Sequence, residues 1–240
     1  MTAPRRVKGI ISRIRRFRDD VTLFRISLQA KVIFKPGQFL HLSVDEYLPG
    51  DFFPESRIFS IANAPGNEFL EILISPRGEF TKRMIHELQV GSEVWLKLPY
   101  GTFNFEKSFD NDIVMIAGGT GISPFISLFE NMLRNPYTFN SLSLYYGVRY
   151  DDLIIFEENL KIYRKRIKGF NSCIYCENVD NRLYSNREGK LPVVLIIQET
   201  LKLKSPDYYL SGPVPMILSF IDELKNRGID PQKIFYDRWE

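Results

Sequence analysis

The sequence has few cysteines, little net charge and no long apolar run, and each shortage excludes a class of protein. Its 240 residues carry 32 Lys and Arg against 29 Asp and Glu, so no general affinity for nucleic acid or another polyanion follows. No stretch approaches the roughly 20 apolar residues that a membrane-spanning helix requires. The basic N-terminus lacks the apolar stretch of a signal peptide, so we expect a cytoplasmic protein without a membrane partner.

The two cysteines, Cys173 and Cys176, form a C-x-x-C pair within a segment typical of a β-strand. Residues three apart on a strand project from opposite faces, which disfavours both a disulfide and a shared metal. The histidines, His41 and His86, lie far away in sequence. We therefore expect no metal site, and a built-in iron–sulfur cluster is excluded because it needs more ligands than these.

Positive charge is concentrated near the N-terminus, although the chain as a whole is nearly balanced. The basic residues of this stretch are Arg5, Arg6, Lys8, Arg13, Arg15, Arg16 and Arg18. One interpretation is the solvated face of a first strand and its flank. The other is a docking surface for an acidic protein, because a patch of one sign steers association. The two interpretations are compatible.

From Val7 to about Phe105 the chain has the pattern of an all-β domain. Short β-rich segments, separated by Pro-Gly pairs, cover Val21–Leu28, Gln38–Val44, Phe69–Ser75 and Glu93–Leu98. One helix interrupts them, since apolar positions recur at helical spacing between Thr81 and Leu88. Closely spaced strands with turn signals predict an antiparallel β-barrel.

After Asp110 strands and helices alternate. The predicted strands are Ile113–Ala117, Ser141–Gly147, a segment near Cys173, and Tyr208–Leu210. Between them lie predicted helices, one of which turns Leu153, Phe156, Leu160, Tyr163 and Ile167 inward. Such alternation predicts a doubly wound parallel sheet with helices on both faces. The expected architecture has two domains, a barrel in residues 1–106 and an α/β domain in residues 107–240.

A glycine-rich turn, Gly118-Gly-Thr-Gly-Ile-Ser-Pro124, joins a predicted buried strand to a helix. Glycines permit a tight turn and close approach of a ligand to the backbone, and the helix N-terminus offers N–H groups to a pyrophosphate. Many strand–helix junctions need such a turn for packing alone. At the first crossover of a parallel sheet a nucleotide site is the favoured interpretation.

Two shorter motifs are weaker by themselves. Arg57-Ile-Phe-Ser60 combines a phosphate-binding fork, a flat ring and a hydroxyl, but it also fits an ordinary strand with one exposed arginine. Ser211-Gly-Pro-Val-Pro-Met216 follows a predicted strand, where a hydroxyl lies at the expected ligand crevice or simply caps a helix.

The order of these motifs resembles that of the ferredoxin–NADP reductase superfamily, over nearly the full length of the chain. In that family the barrel carries an R-x-[YF]-S motif, then a glycine-led segment such as Gly78-Glu-Phe-Thr81, then a G-P-x-G-x-F-like stretch, here Leu98-Pro-Tyr-Gly-Thr-Phe103. The nucleotide domain carries G-G-T-G-[IV]-[AS]-P and a [CS]-G-P turn. Jointly the motifs are specific, whereas no single one is.

The resemblance implies a flavoenzyme that binds FAD in residues 1–106 and NAD(P)H in residues 107–240. Arg57 would hold the FAD pyrophosphate, Phe59 would pack against the flavin, and Ser60, followed by Ile61, would lie near the reactive N5. Gly78 and Thr81 would cradle the FAD phosphates. The nicotinamide dinucleotide would be bound at its pyrophosphate by Gly119, Thr120 and Gly121 and at its ring by Ser211 and Gly212. Ser60 and Ser211 are the candidate catalytic residues.

Three features depart from the commoner family pattern. Phe59 replaces a tyrosine, so one hydroxyl contact is lost while stacking remains. Ser211 stands where many members have cysteine. The C-terminal Phe235-Tyr-Asp-Arg-Trp-Glu240 resembles the tail of oxygenase reductases, and Trp239 is a candidate ring to cover the flavin.

The implied reaction is hydride transfer from the nicotinamide to FAD, for which no general base is needed. The main hypothesis is a reductase that serves a separate ferredoxin, flavodoxin or oxygenase component. An NAD(P)H:flavin oxidoreductase acting on free flavin is the second, compatible with Phe59. A regulatory nucleotide-binding subunit without turnover is the third, and steady NAD(P)H oxidation with ferricyanide would rule it out. Glu177 lies where NADPH-dependent members hold a 2′-phosphate, which slightly favours NADH.

Overall fold

The structure is a computed structural model that describes residues 3–18, 21–103, 105, 111–135, 137–179 and 187–237. The chain divides into two compact units. The first unit comprises Met1–Asn104 and Ser123–Asn131, and the second comprises Phe105–Ile122 and Met132–Glu240. The predicted boundary between residues 106 and 107 lies outside the described residues. The short segment that returns to the first unit has no counterpart in the sequence analysis.

The first unit contains one six-stranded antiparallel sheet, in the order β4-β3-β6-β1-β2-β5. Its strands are β1 (Arg5–Phe17), β2 (Val21–Leu28), β3 (Phe39–Ser43), β4 (Arg57–Ser60), β5 (Phe69–Ile74) and β6 (Glu93–Tyr100). The sheet is nearly closed, so the predicted antiparallel barrel is confirmed. Helix α1 (Glu79–Glu87) follows β5 and buries Phe80 and Met84.

The core of the first unit lies on one face of this sheet, because successive side chains of a strand point to opposite faces. Phe24, Ile26, Leu40, Leu42 and Leu96 have no exposed surface and belong to one apolar cluster. Their neighbours in sequence occupy the outer face. Burial of such a cluster is the dominant stabilising contribution to the barrel.

A β-bulge between Ile11 and Arg13 decides which residues of β1 face outward. Before the bulge, Arg6 and Lys8 lie on the outer face, opposite Lys97 and Trp95 of β6. Past the bulge, the alternation of β1 side chains between the two faces of the sheet is shifted by one residue, because the bulge inserts one residue into β1 only. Arg13 and Arg15 therefore join Arg6 and Lys8 on the same outer face.

The second unit contains a parallel sheet in the order β10-β9-β8-β7-β11-β12. Its strands are β7 (Asp112–Gly118), β8 (Ser141–Tyr150), β9 (Phe170–Asn178), β10 (Arg187–Glu188), β11 (Asp207–Ser211) and β12 (Ile234–Tyr236). Its helices are α3 (Glu157–Arg166), α4 (Val193–Thr200) and α5 (Val214–Asn226), whereas α2 (Ser123–Met132) belongs to the first unit except for its last residue. None of the described helices combines the length and apolar character needed to cross a membrane.

Helices cover both faces of the parallel sheet, as predicted. Ile196 of α4 and Phe220 of α5 pack with Tyr145 of β8 in one buried cluster. The next residue, Tyr146, points to the other face, where its hydroxyl donates to Leu153 O at 3.4 Å, just before α3. The α/β part of the predicted fold is thus confirmed.

The third helix begins later than its apolar spacing predicts. Residues Asp151–Leu153 form a separate 3-10 turn, and α3 starts only at Glu157. Asp151 Oδ1 accepts a hydrogen bond from Asp152 N at 2.9 Å, and such local bonds compete with α-helix formation. Leu153 and Phe156 are nevertheless buried, as expected.

Gly9 is a position where the barrel leaves no room for a side chain. A Cβ there would lie 2.5 Å from Ile26 Cγ2, within the closed core. We expect Gly9→Ala to lower the free energy of unfolding by about 1–3 kcal/mol, because overpacking forces neighbours off their rotamers. Urea unfolding followed by circular dichroism measures this change. Ser12→Ala on the exposed bulge is the control, and equal midpoints for the two variants would contradict the expectation.

Candidate functional site

In the first unit, Arg57 lies against the helix that carries the second predicted phosphate motif. Its guanidinium carbon is 5.0 Å from the centroid of the Phe80 ring, in the first turn of α1. Its Nη2 atom also pairs with Glu55 Oε1 at 2.7 Å. Both partners of this ion pair are more than half exposed, and such pairs contribute little to stability. A phosphate can therefore replace the carboxylate at low cost.

Helix α1 begins at a capped turn formed by Gly78 and Thr81. Thr81 Oγ1 accepts a hydrogen bond from Gly78 N at 3.1 Å and donates one to Gly78 O at 3.0 Å. The Gly78 backbone is extended, with φ −145°, which any residue adopts, and an added Cβ would meet no atom within 4 Å. Neither the backbone conformation nor protein packing requires glycine here, which fits close approach of a ligand.

Together these residues could hold a phosphate. The first N–H groups of α1 have no partner within the helix and stand at the positive end of its dipole. The Arg57 guanidinium is beside them, and arginine binds phosphate through a fork of donors. The structure thus brings together two motifs that lie far apart in the chain, as the resemblance implies.

The remaining residues of the R-I-F-S motif are buried more deeply than their predicted roles suggest. Phe59 is 7% exposed and is a member of the barrel core, while Ser60 is 5% exposed. Ile61 has no exposed surface, and its N–H donates to Gln38 O at 3.2 Å. Phe59 and Ile61 thus pack against protein atoms, and their roles beside the flavin stay predictions, like that of Ser60.

Aromatic side chains accompany Ser60 on its face of the sheet. Phe39 of β3 is paired directly with Ser60 and stacks on Tyr100, with ring centroids 5.8 Å apart and planes at 15°. A Cβ on Gly101, which has φ +94°, would lie 2.8 Å from the Phe39 ring. The Leu98–Phe103 stretch is therefore held against β3, the strand that pairs with the R-I-F-S strand, and Phe39 is a residue that sequence reasoning missed.

Helix α2 holds the segment that follows β4, which sequence reasoning also missed. Ser127 Oγ donates to Asn63 O at 2.8 Å, and Ala64 N donates to Glu130 Oε2 at 2.9 Å. The Asn63 side chain is buried and bonds to Glu71 N, Phe69 O and Ala64 O. The two α2 residues are more than 60 residues from their partners along the chain, so no local pattern reveals these contacts.

In the second unit, the two glycine-containing turns meet where β7 and β11 end. Ala117 of β7 is paired with Ser211 of β11. A Cβ on Gly121 would lie 2.3 Å from Ser211 O and 2.6 Å from Gly212 Cα. One on Gly212 would lie 2.9 Å from Gly118 N. The turns are in backbone contact, so Gly121 and Gly212 are required by packing between them.

Gly119 and Thr120 form the part of this site that faces solvent. Gly119 is exposed with φ +54°, in the left-handed region, and an added Cβ would meet no atom within 4 Å. Thr120 is half-buried. Among the residues of this turn, these two are the ones with room for a ligand against the backbone.

Ser211 carries a buried hydroxyl whose hydrogen-bonding capacity the described residues do not use. Its side chain has no exposed surface, and Oγ makes no hydrogen bond to any described residue. A buried hydroxyl without a partner costs about 1–3 kcal/mol, so folded proteins rarely keep one without a use. The hydroxyl lies at the carboxyl end of a parallel strand, where nucleotides bind in such sheets. The residues present therefore fit a polar ring substituent at this position.

The predicted 2′-phosphate region lies at the end of β9. Glu177 is exposed, and its Oε2 is 3.9 Å from Lys190 Nζ. Arg187 is occupied by Tyr175, whose hydroxyl accepts from Nη1 at 2.9 Å. Among the described residues, the Glu177 carboxylate offsets the charge of Lys190, while Arg187 keeps its positive charge because its partner is a neutral hydroxyl.

The C-terminal candidate, Trp239, lies outside the described residues. The last described residue, Asp237, donates its N–H to Leu210 O at 3.0 Å. At Asp237 the chain therefore still runs beside β11, where it contacts Leu210, the residue before Ser211. The role of Trp239 over the flavin stays a prediction.

Comparisons with known proteins agree with this geometry. Residues 115–220 match the family model described as the oxidoreductase NAD-binding domain. The propane 2-monooxygenase reductase component of Mycolicibacterium smegmatis is 33% identical over 230 residues, covering 92% of this chain and 63% of that protein. A ferredoxin–NAD(P)+ reductase component of naphthalene 1,2-dioxygenase/salicylate 5-hydroxylase systems from a Ralstonia species is 31% identical, covering 96% of this chain and 68% of that protein.

A solved structure shows the same fold. The ferredoxin NADP+ reductase from Neisseria gonorrhoeae with bound FAD and NADP superimposes with a TM-score of 0.78 at 21% identity, covering 99% of each chain. The chain spans 59–63% of the length of three propane 2-monooxygenase reductase components that it matches. The motifs, the barrel followed by a parallel α/β sheet, and these similarities together show that the chain belongs to the ferredoxin–NADP reductase superfamily.

Proposed function

We propose that the chain takes a hydride from NAD(P)H onto bound FAD and passes the electrons to a separate ferredoxin, flavodoxin or oxygenase component. The observation that carries this proposal is the buried Ser211 hydroxyl without a partner, beside two glycine turns in backbone contact. Relatives named as reductase components of oxygenase systems support the same direction of electron flow.

The first unit would hold FAD at its pyrophosphate and at its flavin ring. Arg57 and the first N–H groups of α1 would bind the pyrophosphate, with Thr81 keeping the Gly78 turn closed. Ser60 would lie near the flavin ring, flanked by Phe59 and Ile61. FAD, when bound, supplies acceptance of two electrons from a nicotinamide and their release one at a time.

The second unit would hold the nicotinamide dinucleotide. Gly119 and Thr120 would present backbone N–H groups to the pyrophosphate, and Gly121 keeps that turn against Gly212. The Ser211 hydroxyl, which can donate and accept, would pair with the carboxamide and orient the ring. A general base is unnecessary, because the hydride carries its electron pair directly from one ring to the other.

The outer face of β1 supports an acidic protein as the electron acceptor. We call Arg6, Lys8, Arg13 and Arg15 the β1 cationic face. Lys8 pairs with Glu93 at 2.6 Å. Within the described residues, the other three form no ion pair with a carboxylate. Their uncompensated charge favours association with a surface of opposite sign.

This face keeps a costly arrangement of charge. Arg13 lies directly opposite Arg25 in the pairing of β1 with β2. Like charges opposite each other destabilise a sheet, and Arg25 is held there by Glu71 at 2.8 Å. A second row of side chains crosses the outer face of the sheet from β4 to β1, and it consists of Ile58, His41, Lys97 and Arg6. Burial and the Lys97 charge lower the pKa of His41, so Lys97 and Arg6 carry the charge of that row at neutral pH.

Reduction of free flavin is the second candidate function, and one observation favours it. Phe59 replaces the commoner tyrosine and is buried in the barrel core, which leaves little ring surface to retain a flavin. Purified protein without bound flavin, and with equal affinity for FAD and riboflavin, would support this candidate against the first.

The proposed function is tested by anaerobic stopped-flow spectroscopy of the FAD-loaded protein. NADH or NADPH should bleach the flavin absorbance in a first-order phase, and an added oxidised [2Fe–2S] ferredoxin should restore it. The proposal is wrong if neither NADH nor NADPH bleaches the flavin absorbance.

Removing the Ser211 hydroxyl should have opposite effects on stability and on reaction rate. We expect Ser211→Ala to stabilise the free protein by about 1 kcal/mol, because an unpaired buried polar atom is removed. We expect its limiting rate of flavin reduction to fall by about tenfold, because a hydrogen bond to the nicotinamide is lost. Thermal unfolding and stopped-flow kinetics measure the two quantities.

Thr200→Val is the matched control for Ser211→Ala. Thr200 Oγ1 is buried in the same unit but is bonded to Ile196 O and Tyr208 OH, so its loss should lower stability. A Ser211→Ala variant that is less stable than the wild type would contradict the assignment of an unpaired hydroxyl.

Glu177 should determine part of the preference between the two nicotinamides. We expect Glu177→Arg to raise the ratio of kcat/KM for NADPH to that for NADH by about tenfold, because repulsion of the 2′-phosphate is replaced by attraction. Glu188→Arg, a neighbouring exposed carboxylate on β10, is the control for charge alone. An unchanged ratio in Glu177→Arg would contradict the prediction.

Reversing charge on the β1 cationic face should impair protein acceptors selectively. We expect Arg13→Glu/Arg15→Glu to reduce an acidic [2Fe–2S] ferredoxin about tenfold more slowly at low salt, with a smaller deficit at high salt. Reduction of menadione, a neutral acceptor, should not change. Lys165→Glu/Lys168→Glu makes the same charge change on exposed positions of the second unit. Equal effects of the two double variants would contradict a localised docking face.

A further inference from the structure

Within the first unit, helix α2 makes hydrogen bonds to both polar atoms of one peptide group. Ser127 Oγ donates to the carbonyl of Asn63 at 2.8 Å, and Glu130 Oε2 accepts from the N–H of Ala64 at 2.9 Å. The carbonyl of residue 63 and the N–H of residue 64 belong to the same planar peptide group. Ser127 and Glu130 are three apart, so they lie on one face of the helix. Together they fix both the position and the orientation of that peptide plane.

This peptide group is rigidly connected to the R-I-F-S strand. Ala62 N donates to Glu71 O at 2.8 Å, and Ile61 N donates to Gln38 O at 3.2 Å. The Asn63 side chain accepts from Glu71 N at 2.7 Å and donates to Phe69 O at 3.1 Å. Every residue between Ser60 and Ala64 is thus hydrogen-bonded, so this segment is held in one arrangement.

The other end of α2 continues the glycine turn of the second unit. The turn Gly119–Ile122 runs directly into Ser123, the first residue of the helix. Ser127 is one helical turn from Ser123, a rise of about 6 Å. Glu130 lies about one further turn along the helix, so both anchors follow the candidate dinucleotide turn within about two turns of α2.

The two anchoring groups are unusual choices for packing alone. Ser127 has no exposed surface, and Glu130 is half-buried. Placing a carboxylate in a partly buried position costs desolvation free energy, which a charge-assisted bond to a backbone N–H offsets. Such a bond is shorter and more directional than a neutral one, so it holds the peptide plane tightly.

From these contacts we infer that Ser127 and Glu130 are positioning residues for hydride transfer. They touch neither cofactor in the proposed function, on which this inference rests. They fix the candidate flavin segment to α2. Hydride transfer is sensitive to such fixation, because a displacement of about 1 Å in a reacting pair can lower a rate by about a hundredfold.

The test uses FAD-loaded Ser127→Ala and Glu130→Ala in anaerobic stopped-flow experiments. We expect each variant to lower the limiting rate of flavin reduction at saturating NADH at least tenfold, while its FAD content and its Kd for NADH stay within twofold of the wild type. With NADH deuterated at the transferred position, the isotope effect should be at least as large as in the wild type, because the slowed step is hydride transfer itself. Glu130→Gln retains an acceptor oxygen and should recover part of the rate.

Two controls on α5 separate this role from a general loss of helix stability. Ser219→Ala removes a hydroxyl bonded to Pro215 O at 2.9 Å, and Glu223→Gln removes a carboxylate paired with Arg227 at 2.8 Å. Neither should change the limiting rate.

The possible results are distinguishable. Variants that reduce flavin at the wild-type rate, or that lose rate only in proportion to lost FAD, overturn the positioning role and leave the proposed function intact. A wild-type protein whose flavin is not reduced by either nicotinamide overturns both.

Discussion

The contact between the backbones of Gly121 and Ser211–Gly212 is the constraint on which the second unit's site depends. It exists because β7 and β11 are neighbours in a parallel sheet, so their carboxyl ends lie at one edge. The turns that follow approach so closely that a Cβ on Gly121 would lie 2.3 Å from a carbonyl oxygen. This contact leaves Gly119 and Thr120 to face solvent and encloses the Ser211 hydroxyl. Within the glycine-rich turn, Gly121 is therefore required by packing, whereas Gly119 leaves space beside the backbone.

Features that cost stability coincide with the residues to which we assign function. The Ser211 hydroxyl is buried without a partner among the described residues, and Arg13 lies opposite Arg25, whose like charge is only offset by its pairing with Glu71. Neither arrangement benefits the folded state, because desolvation and repulsion both oppose it. Proteins retain such local conflicts mainly where function requires them. The Glu130 anchor differs from both, since its bond to Ala64 N offsets the cost of burial.

In the proposed function, the two units would bind phosphate through backbone N–H groups in different settings. In the first unit, a nine-residue helix begins at Gly78, and a cation on a neighbouring strand is held over its first turn by the Phe80 ring. In the second unit, the glycine turn itself presents the backbone, and no arginine or lysine is part of the turn. The aromatic contact explains how Arg57 is positioned near α1 although it belongs to β4.

The sequence by itself determined the types and order of most secondary elements, the short strands β10 and β12 excepted, together with the barrel followed by the parallel sheet and the positions of the nucleotide motifs. These follow from local periodicity, turn residues and strand-to-helix junctions, which depend on neighbours a few residues away. It misplaced the start of the third helix, because the Asp151 side chain competes for a backbone N–H there. Tertiary structure alone decided that Phe59 and Ile61 are buried in the core, that Phe39 accompanies Ser60, and that Ser127 and Glu130 hold the Asn63–Ala64 peptide. Those contacts join residues distant in the chain, and whether two distant groups meet depends on strand order and helix packing, which no local pattern specifies.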